Sequence, residues 1–339
     1  MTELSNDWQE FVSRQEISTG LAAPQAGFFA PLSDFGLIAA SGDDAASFLH
    51  SQLTNDVQTL DGSTARLAGY CTAKGRLLAT MLIWRRDGEI MLMLPKELLP
   101  GVQKRLQMFV LRAKVKLRDA SGDHAILGLA GSIDAPALSA ILPQADNAPY
   151  VQQDKENGSL IRLPDADGVP RAFWITEAAQ AIAAWPILAE TMHAASPATW
   201  RLTEIEAAIP WVVQATQEKF VPQMINFEIV GGVNFKKGCY PGQEIVARSQ
   251  YLGKLKRRML PARITADNVA AGMEVFAENE PGQPCGMIVN AERGKDGETA
   301  CLVEIKIAEA GNTAIHLGAA DGPAVRFQPL PYALPDEVQ

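Results

Sequence analysis

Cysteine is scarce in this chain: four residues, at 71, 239, 285 and 301, with no C-x-x-C pair among them. A disulfide framework is therefore not expected. The four histidines (50, 124, 193, 316) stand apart, with neither H-E-x-x-H nor H-x-x-x-H spacing. A zinc or cluster site assembled from neighbouring ligands is not expected either. Long apolar runs are also missing. The run over 77–84 stops far short of the roughly 18 residues a membrane span needs. There is no excess of positive charge: 39 Asp and Glu against 30 Lys and Arg give a net −9, which argues against a dedicated non-specific nucleic-acid binder. The first residues lack a basic stretch followed by an apolar one, so a secretory leader is not expected. What is present is an ordinary globular composition, 47% apolar and 20% charged over 339 residues. The expectation is a soluble cytoplasmic protein of two or three domains.

Along the chain, residues 7–16 read as a short amphipathic helix and 36–40 as a strand. Asp43 is placed to cap a helix that carries Phe48, Leu49 and Leu53. Residues 65–71 and 77–84 read as two strands joined by the turn Thr72-Ala-Lys-Gly75, and Asp87-Gly88 marks a hairpin. A helix is expected over 97–109, with Leu98, Val102, Leu106 and Phe109 at helical spacing, then an exposed strand over 114–118. Further strands are expected over 125–129 and 173–175. A small helix follows near 135–142, and 144–158 reads as a surface loop. A helix over 177–190 is interrupted or kinked at Pro186. Beyond 256, short strands punctuated by Gly and Pro (273–277, 285–289, 300–307, 324–327) suggest a separate all-β domain. The pattern is mixed α and β without βαβ alternation, which disfavours a doubly wound parallel sheet.

Chemistry concentrates in residues 231–258. Seven positive side chains (Lys236, Lys237, Arg248, Lys254, Lys256, Arg257, Arg258) stand there against one negative, Glu244. Such segregation in an acidic protein suits an anionic partner; a solvated basic strand paired to acidic loops is the alternative. Cys239 follows Lys236-Lys237-Gly238, a setting that favours a reactive thiol. Cys71, Cys285 and Cys301 lie in apolar strand patterns and read as core. With no histidine adjacent in sequence, a Cys–His hydrolase is disfavoured. A second candidate is the stretch 200–210. Read as a strand, it places Trp200, Leu202, Glu204 and Glu206 on one face. That face suits a flat heterocycle, stacked on Trp200 and hydrogen-bonded by Glu206; equally, Trp200 is a half-buried core residue beside two solvated glutamates.

Lys237-Gly-Cys-Tyr-Pro-Gly-Gln-Glu244 resembles the K-G-C-Y-x-G-Q-E signature of the folate-binding YgfZ family, relatives of the glycine-cleavage aminomethyltransferase (T-protein). The blocks Gly42-Asp-Asp-Ala-Ala-Ser-Phe-Leu-His-Ser-Gln-Leu-Thr-Asn-Asp-Val57, Cys71-Thr-Ala-Lys-Gly-Arg76, Glu206-Ala-Ala-Ile-Pro210, Phe220-Val-Pro-Gln223 and Pro329-Leu-Pro-Tyr332 fit in order. The resemblance implies an α+β, three-domain aminomethyltransferase-like fold around a central opening that binds tetrahydrofolate, ending in a small β-barrel. We place the divisions at 1–120, 121–255 and 256–339. It implies Cys239 and Lys237 as the functional thiol and amine, with Gly238, Tyr240, Gly242, Gln243 and Glu244 completing the motif. Trp200, Glu206 and Phe35 are the implied folate contacts; position 35 is often Trp in relatives, so Phe35 keeps a stacking face without the indole donor. The implied role is support of iron–sulfur protein assembly or repair, with partners such as tRNA methylthiotransferases. Direct tRNA contact through Lys254, Lys256, Arg257 and Arg258 is a lesser expectation. The alternative is a folate-dependent one-carbon transferase or demethylase. T-proteins carry a catalytic aspartate in the strand after the first hairpin turn, whereas residues 75–84 here hold no acid at all.

Overall fold

The computed structural model describes residues 3–18, 27–142, 148–156, 158–251, 255–294 and 297–335. Its contacts resolve into two compact units that share the chain unevenly: 1–49, 57–66 and 81–200 in the first, and 50–56, 67–80 and 201–339 in the second. Each unit gathers segments from separate stretches of the chain. Among the described residues no helix is long and apolar enough to cross a membrane.

The first unit is built on antiparallel sheet. Its six-stranded sheet runs in the order His193–Ala194, Phe28–Pro31, His124–Ala130, Val169–Glu177, Gly158–Ala166, Gln152–Lys155. All neighbours pair antiparallel except the first two, which are parallel. Alternation along these strands sends Phe29, Leu127, Leu129 and Trp174 to one face, where the helix Ala178–Thr191 covers them with Ala181, Trp185 and Leu188. That helix runs unbroken through Pro186. Trp8 and Phe11 of the helix Glu3–Ser13 close over Trp185. A second antiparallel set pairs Phe35–Ser41 with Glu89–Pro95 and with Lys116–Asp119. The hairpin turn at Asp87-Gly88, both with positive φ, feeds Glu89–Pro95 as the sequence implies. The helix Leu99–Phe109 buries Leu99, Val102 and Leu106. Asp43, expected as a helix cap, instead pairs with Lys114 Nζ at 3.1 Å, and Asp44 accepts the Lys114 backbone N–H at 2.8 Å.

The second unit carries the expected C-terminal β structure. Its strand order is Ile315–Leu317, Glu274–Ala277, Gly286–Arg293, Thr299–Lys306, Arg257–Ile264, Val325–Phe327. A bridge between His316 and Ala324 brings the two ends of the sheet together into a nearly closed barrel. Inward alternation fills it with Ile264, Val275, Cys285, Ile288, Cys301, Val303 and Ile305, which confirms Cys285 and Cys301 as core residues. Closure removes exposed strand edges.

Two further local expectations are corrected. Residues 200–206 are not a strand: they belong to the helix Pro197–Glu206. At about 100° per residue this turns Glu206 away from Trp200, so the shared face inferred from a two-residue period does not exist. Gln152–Lys155, expected in a loop, is an edge strand. The motif's last two residues open a helix, Gln243–Tyr251. The basic run over 256–258 enters the barrel strand Arg257–Ile264.

Candidate functional site

The signature loop sits in the second unit. The Lys237 ammonium donates to the carbonyls of His50 and Leu53, the latter at 2.8 Å. Those carbonyls lie at the C-terminal end of the helix Ala45–Gln52, where unpaired C=O groups and the helix dipole attract a cation. The same ammonium stands 5.0 Å from the centroid of the Tyr240 ring, within cation–π range. Burial, opposed by the charges of Asp56 and Cys239, lowers the Lys237 pKa to about 8.

Around this cation the block at 50–56 makes a scaffold. His50 Nδ1 lies 3.0 Å from Asp56 Oδ1. Burial, reinforced by the Lys237 charge, lowers the His50 pKa, leaving a neutral imidazole hydrogen-bonded to Asp56. The other ring nitrogen faces Gly238: a Cβ added there would lie 3.5 Å from Nε2. Thr54 Oγ1 donates to Gly232 O at 2.6 Å and accepts from Gly69 N at 2.7 Å. The Asn55 amide bridges Leu67 O and Gly231 O, both at 2.7 Å. The polar side chains of Thr54 and Asn55 therefore pin the Gly231–Gly232 turn that leads into the signature loop.

From the other side the 72–76 turn packs on Gly242. Gly75 N donates to Thr72 O at 2.9 Å and Thr72 N to Arg76 O at 2.8 Å. Both Gly75 and Gly242 have positive φ, +70° and +80°. A Cβ on Gly242 would fall 2.4 Å from Thr72 O and 2.5 Å from Gly75 N. Two backbone turns thus meet at a distance only glycine permits. Tyr240 is buried, and burial, with the nearby Cys71 thiol, raises its pKa. Burial pushes the Cys71 thiol up to about 12. Cys239 is the exception: of the four cysteines it alone is exposed. Gln243 and Glu244 form the first turn of the helix Gln243–Tyr251, where Glu244 pairs with Arg248 at 3.3 Å on the surface. The arrangement holds an exposed thiol on a rigid, glycine-spaced loop beside an anchored cation.

The residues expected to hold folate are placed differently. In the first unit Trp200 is completely buried. Its ring lies on the backbone of Gly128, where a Cβ would come within 2.3 Å of it. Phe173 packs 5.1 Å away, centroid to centroid, and the Arg171 guanidinium 5.3 Å from the ring. Phe35 is buried too, and meets Phe173 edge-on at 6.0 Å. Neither Phe35 nor Trp200 presents an open face on which a pterin can stack. Glu206, in the second unit, keeps a partly exposed carboxylate 3.7 Å from Arg263. That group remains fit to accept hydrogen bonds from a heterocycle.

No family model matches the chain. A "tRNA-modifying protein YgfZ" of Colwellia psychrerythraea is 30% identical over 308 residues, 89% of this chain and 92% of that protein. Its namesake in Klebsiella pneumoniae is 30% identical over 310 residues, 90% of this chain and 93% of that protein. The chain belongs to the YgfZ family. Among solved structures, glycine cleavage system aminomethyltransferase T from Bartonella henselae superposes with a TM-score of 0.74 at 16% identity, over 91% of this chain and 86% of that one. The fold of this YgfZ-family chain is therefore that of the aminomethyltransferase.

The basic run proves mostly structural. Arg257 Nη1 donates to both carboxylate oxygens of buried Glu304 at 2.8 Å. Arg258, itself buried, pairs with Glu228 at 2.6 Å and donates to Gln223 O at 3.1 Å. Two guanidiniums committed to internal carboxylates are not available to phosphates, which corrects the expected tRNA contact at Arg257 and Arg258. Lys256 is exposed; Lys254 lies outside the described residues. Sequence reasoning passed over His50 and Asp56. Both stand in the block that supports the YgfZ resemblance, but nothing in their spacing shows that the chain folds back to lay residue 238 against His50.

Proposed function

We propose that this chain is a tetrahydrofolate-binding accessory protein that supports assembly or repair of iron–sulfur proteins, including enzymes that modify tRNA, with Cys239 as its functional thiol. The observation that carries the reading is the contrast among the cysteines: three buried in apolar surroundings, one displayed on the signature loop beside Lys237. Such a thiol is able to reach a client's iron, sulfur or thiol, and the anchored Lys237 ammonium sets a positive charge beside it. Lys237 acts by holding charge in place; its bonds to His50 and Leu53 fix where that charge sits.

Tetrahydrofolate enters through the family and the aminomethyltransferase fold. Within this chain Glu206 is the residue fit to contact the pterin, and buried Trp200 and Phe35 support the surrounding packing. When bound, the folate supplies a one-carbon carrier; the chain's own contribution is recognition. The one-carbon transferase alternative finds no carboxylate on the strand Leu77–Arg86, LLATMLIWRR, to manage a proton at the folate. The test is calorimetric titration of the reduced protein with tetrahydrofolate, beside Glu206→Gln and Cys239→Ala. Binding by the wild type, weakened about tenfold or more in Glu206→Gln and unchanged in Cys239→Ala, is the expected result. No binding by the folded wild type would remove folate from the account.

A further inference from the structure

A second surface, in the first unit, is unlike the rest of this acidic chain. Residues 98–118 hold six positive side chains (Lys104, Arg105, Arg112, Lys114, Lys116, Arg118) and no carboxylate. Lys114 pairs with Asp43, and Arg118 with Glu89 and Asp123. Lys104, Arg105, Arg112 and Lys116 have no acidic partner among the described residues, and all but the half-buried Arg105 are exposed. Between them stand Met108, Phe109 and Leu111, exposed by 59%, 46% and 87%, three of the five large apolar side chains exposed among the described residues.

The backbone holds this surface in a conformation that costs energy. The helix Leu99–Phe109 ends at Val110, and the next residue, Leu111, takes φ +43°. That is the position where helices ordinarily place Gly or Asn. A leucine there bears left-handed strain and gains no burial in return. Local strain kept at an exposed apolar side chain is a mark of binding surfaces.

We propose that residues 104–116 bind structured RNA. Lys104, Arg105, Arg112 and Lys116 would neutralise phosphates, and Phe109 would stack on an unpaired base. The observations favour RNA over an acidic protein for two reasons. Cations without partners outnumber the apolar side chains, and they suit a ligand with evenly spaced charge. Three apolar side chains offer on the order of a few hundred Å², short of the roughly 800 Å² per partner of a specific protein interface. An aromatic ring among cations is the platform on which single-stranded bases stack. The inference goes beyond the proposed function and does not rest on it: neither Cys239 nor a folate is involved.

The experiment titrates the full chain with bulk tRNA from about 50 to about 300 mM salt, where phosphate contacts dominate the salt dependence. Four contacts predict that log K falls by about 3 per decade of salt. The variant Lys104→Gln/Arg105→Gln/Arg112→Gln/Lys116→Gln should lose about 100-fold or more at the lowest salt, with an unchanged thermal midpoint. Phe109→Ala should weaken binding about tenfold and leave the salt slope as it was. Absence of binding at low salt, or full binding by the quadruple variant, overturns the proposal. So does equal affinity for vesicles containing phosphatidylglycerol, which would mark an anionic membrane surface as the occupant.

Discussion

Replacing Gly242 by alanine isolates the role of backbone contact in the signature loop. The new Cβ would lie 2.4 Å from Thr72 O, 2.5 Å from Gly75 N and 2.6 Å from Gly75 Cα. Ordinary contacts begin near 3.4 Å, so the 72–76 turn must retreat by about 1 Å. It cannot do so freely, because its own hydrogen bonds join the strands Arg66–Cys71 and Leu77–Arg86. Overpacking of this kind costs about 1–3 kcal/mol. The φ of +80° adds about 1–2 kcal/mol for an L side chain. The sum, about 2–5 kcal/mol, should lower the urea midpoint of the second unit by about 1–2 M. Gly101→Ala is the internal control: it lies in the helix Leu99–Phe109 with no atom within 4 Å of the added Cβ. That change should raise stability by about 0.5–1 kcal/mol. A Gly242→Ala midpoint equal to wild type would refute the claim that two turns meet at that glycine.

Other expectations follow from the same geometry. Because the folded pKa of Lys237 is depressed to about 8, the unfolded chain binds its proton more tightly between pH 8 and about 10.4, and stability should rise with pH across that window. The gain is on the order of 1–2 kcal/mol once solvent screening of a partly exposed ammonium is allowed for. Lys237→Gln should flatten that part of a pH-dependent urea series, and an unaltered slope would contradict the assignment. Arg258→Met leaves the Glu228 carboxylate buried beside no cation and should cost about 3–5 kcal/mol, whereas the double change with Glu228→Leu should recover most of it; equal losses in both would exclude a buried ion pair. Leu111→Gly relieves the left-handed strain and should raise the thermal midpoint of the first unit by a few degrees, while a lower midpoint would show that the leucine packs. Iodoacetamide under native conditions should label Cys239 and none of the other three cysteines, read by mass spectrometry.

Much of the architecture was legible because it is written in local chemistry. The Asp87-Gly88 hairpin, the apolar spacing of 98–109 and the Gly- and Pro-punctuated strands beyond 256 each follow from short-range rules. Cys285 and Cys301 were recognisable as core from their neighbours. The failures share a cause. A two-residue period over 200–206 sets Trp200, Leu202, Glu204 and Glu206 on one face of a strand, yet the segment is helical and Trp200 is held by Gly128 and Phe173, residues far away in sequence. The charge of Arg257 and Arg258 was visible, but their partners Glu304 and Glu228 are distant along the chain. His50 and Asp56 became site residues only when folding set them against Lys237 and Gly238. Periodicity reports which faces are apolar; it does not report what a buried face packs against.

The central claim is that Cys239 is the functional thiol of a scaffold whose fold and stability do not depend on it. The most direct test replaces the chromosomal gene with the Cys239→Ala form and measures methylthiolated tRNA, the product of an iron–sulfur modifying enzyme, in cells with matched protein levels. The account predicts that methylthiolation falls to the level of cells lacking the protein, while the purified variant keeps the wild-type thermal midpoint. Wild-type methylthiolation in the Cys239→Ala cells would contradict it.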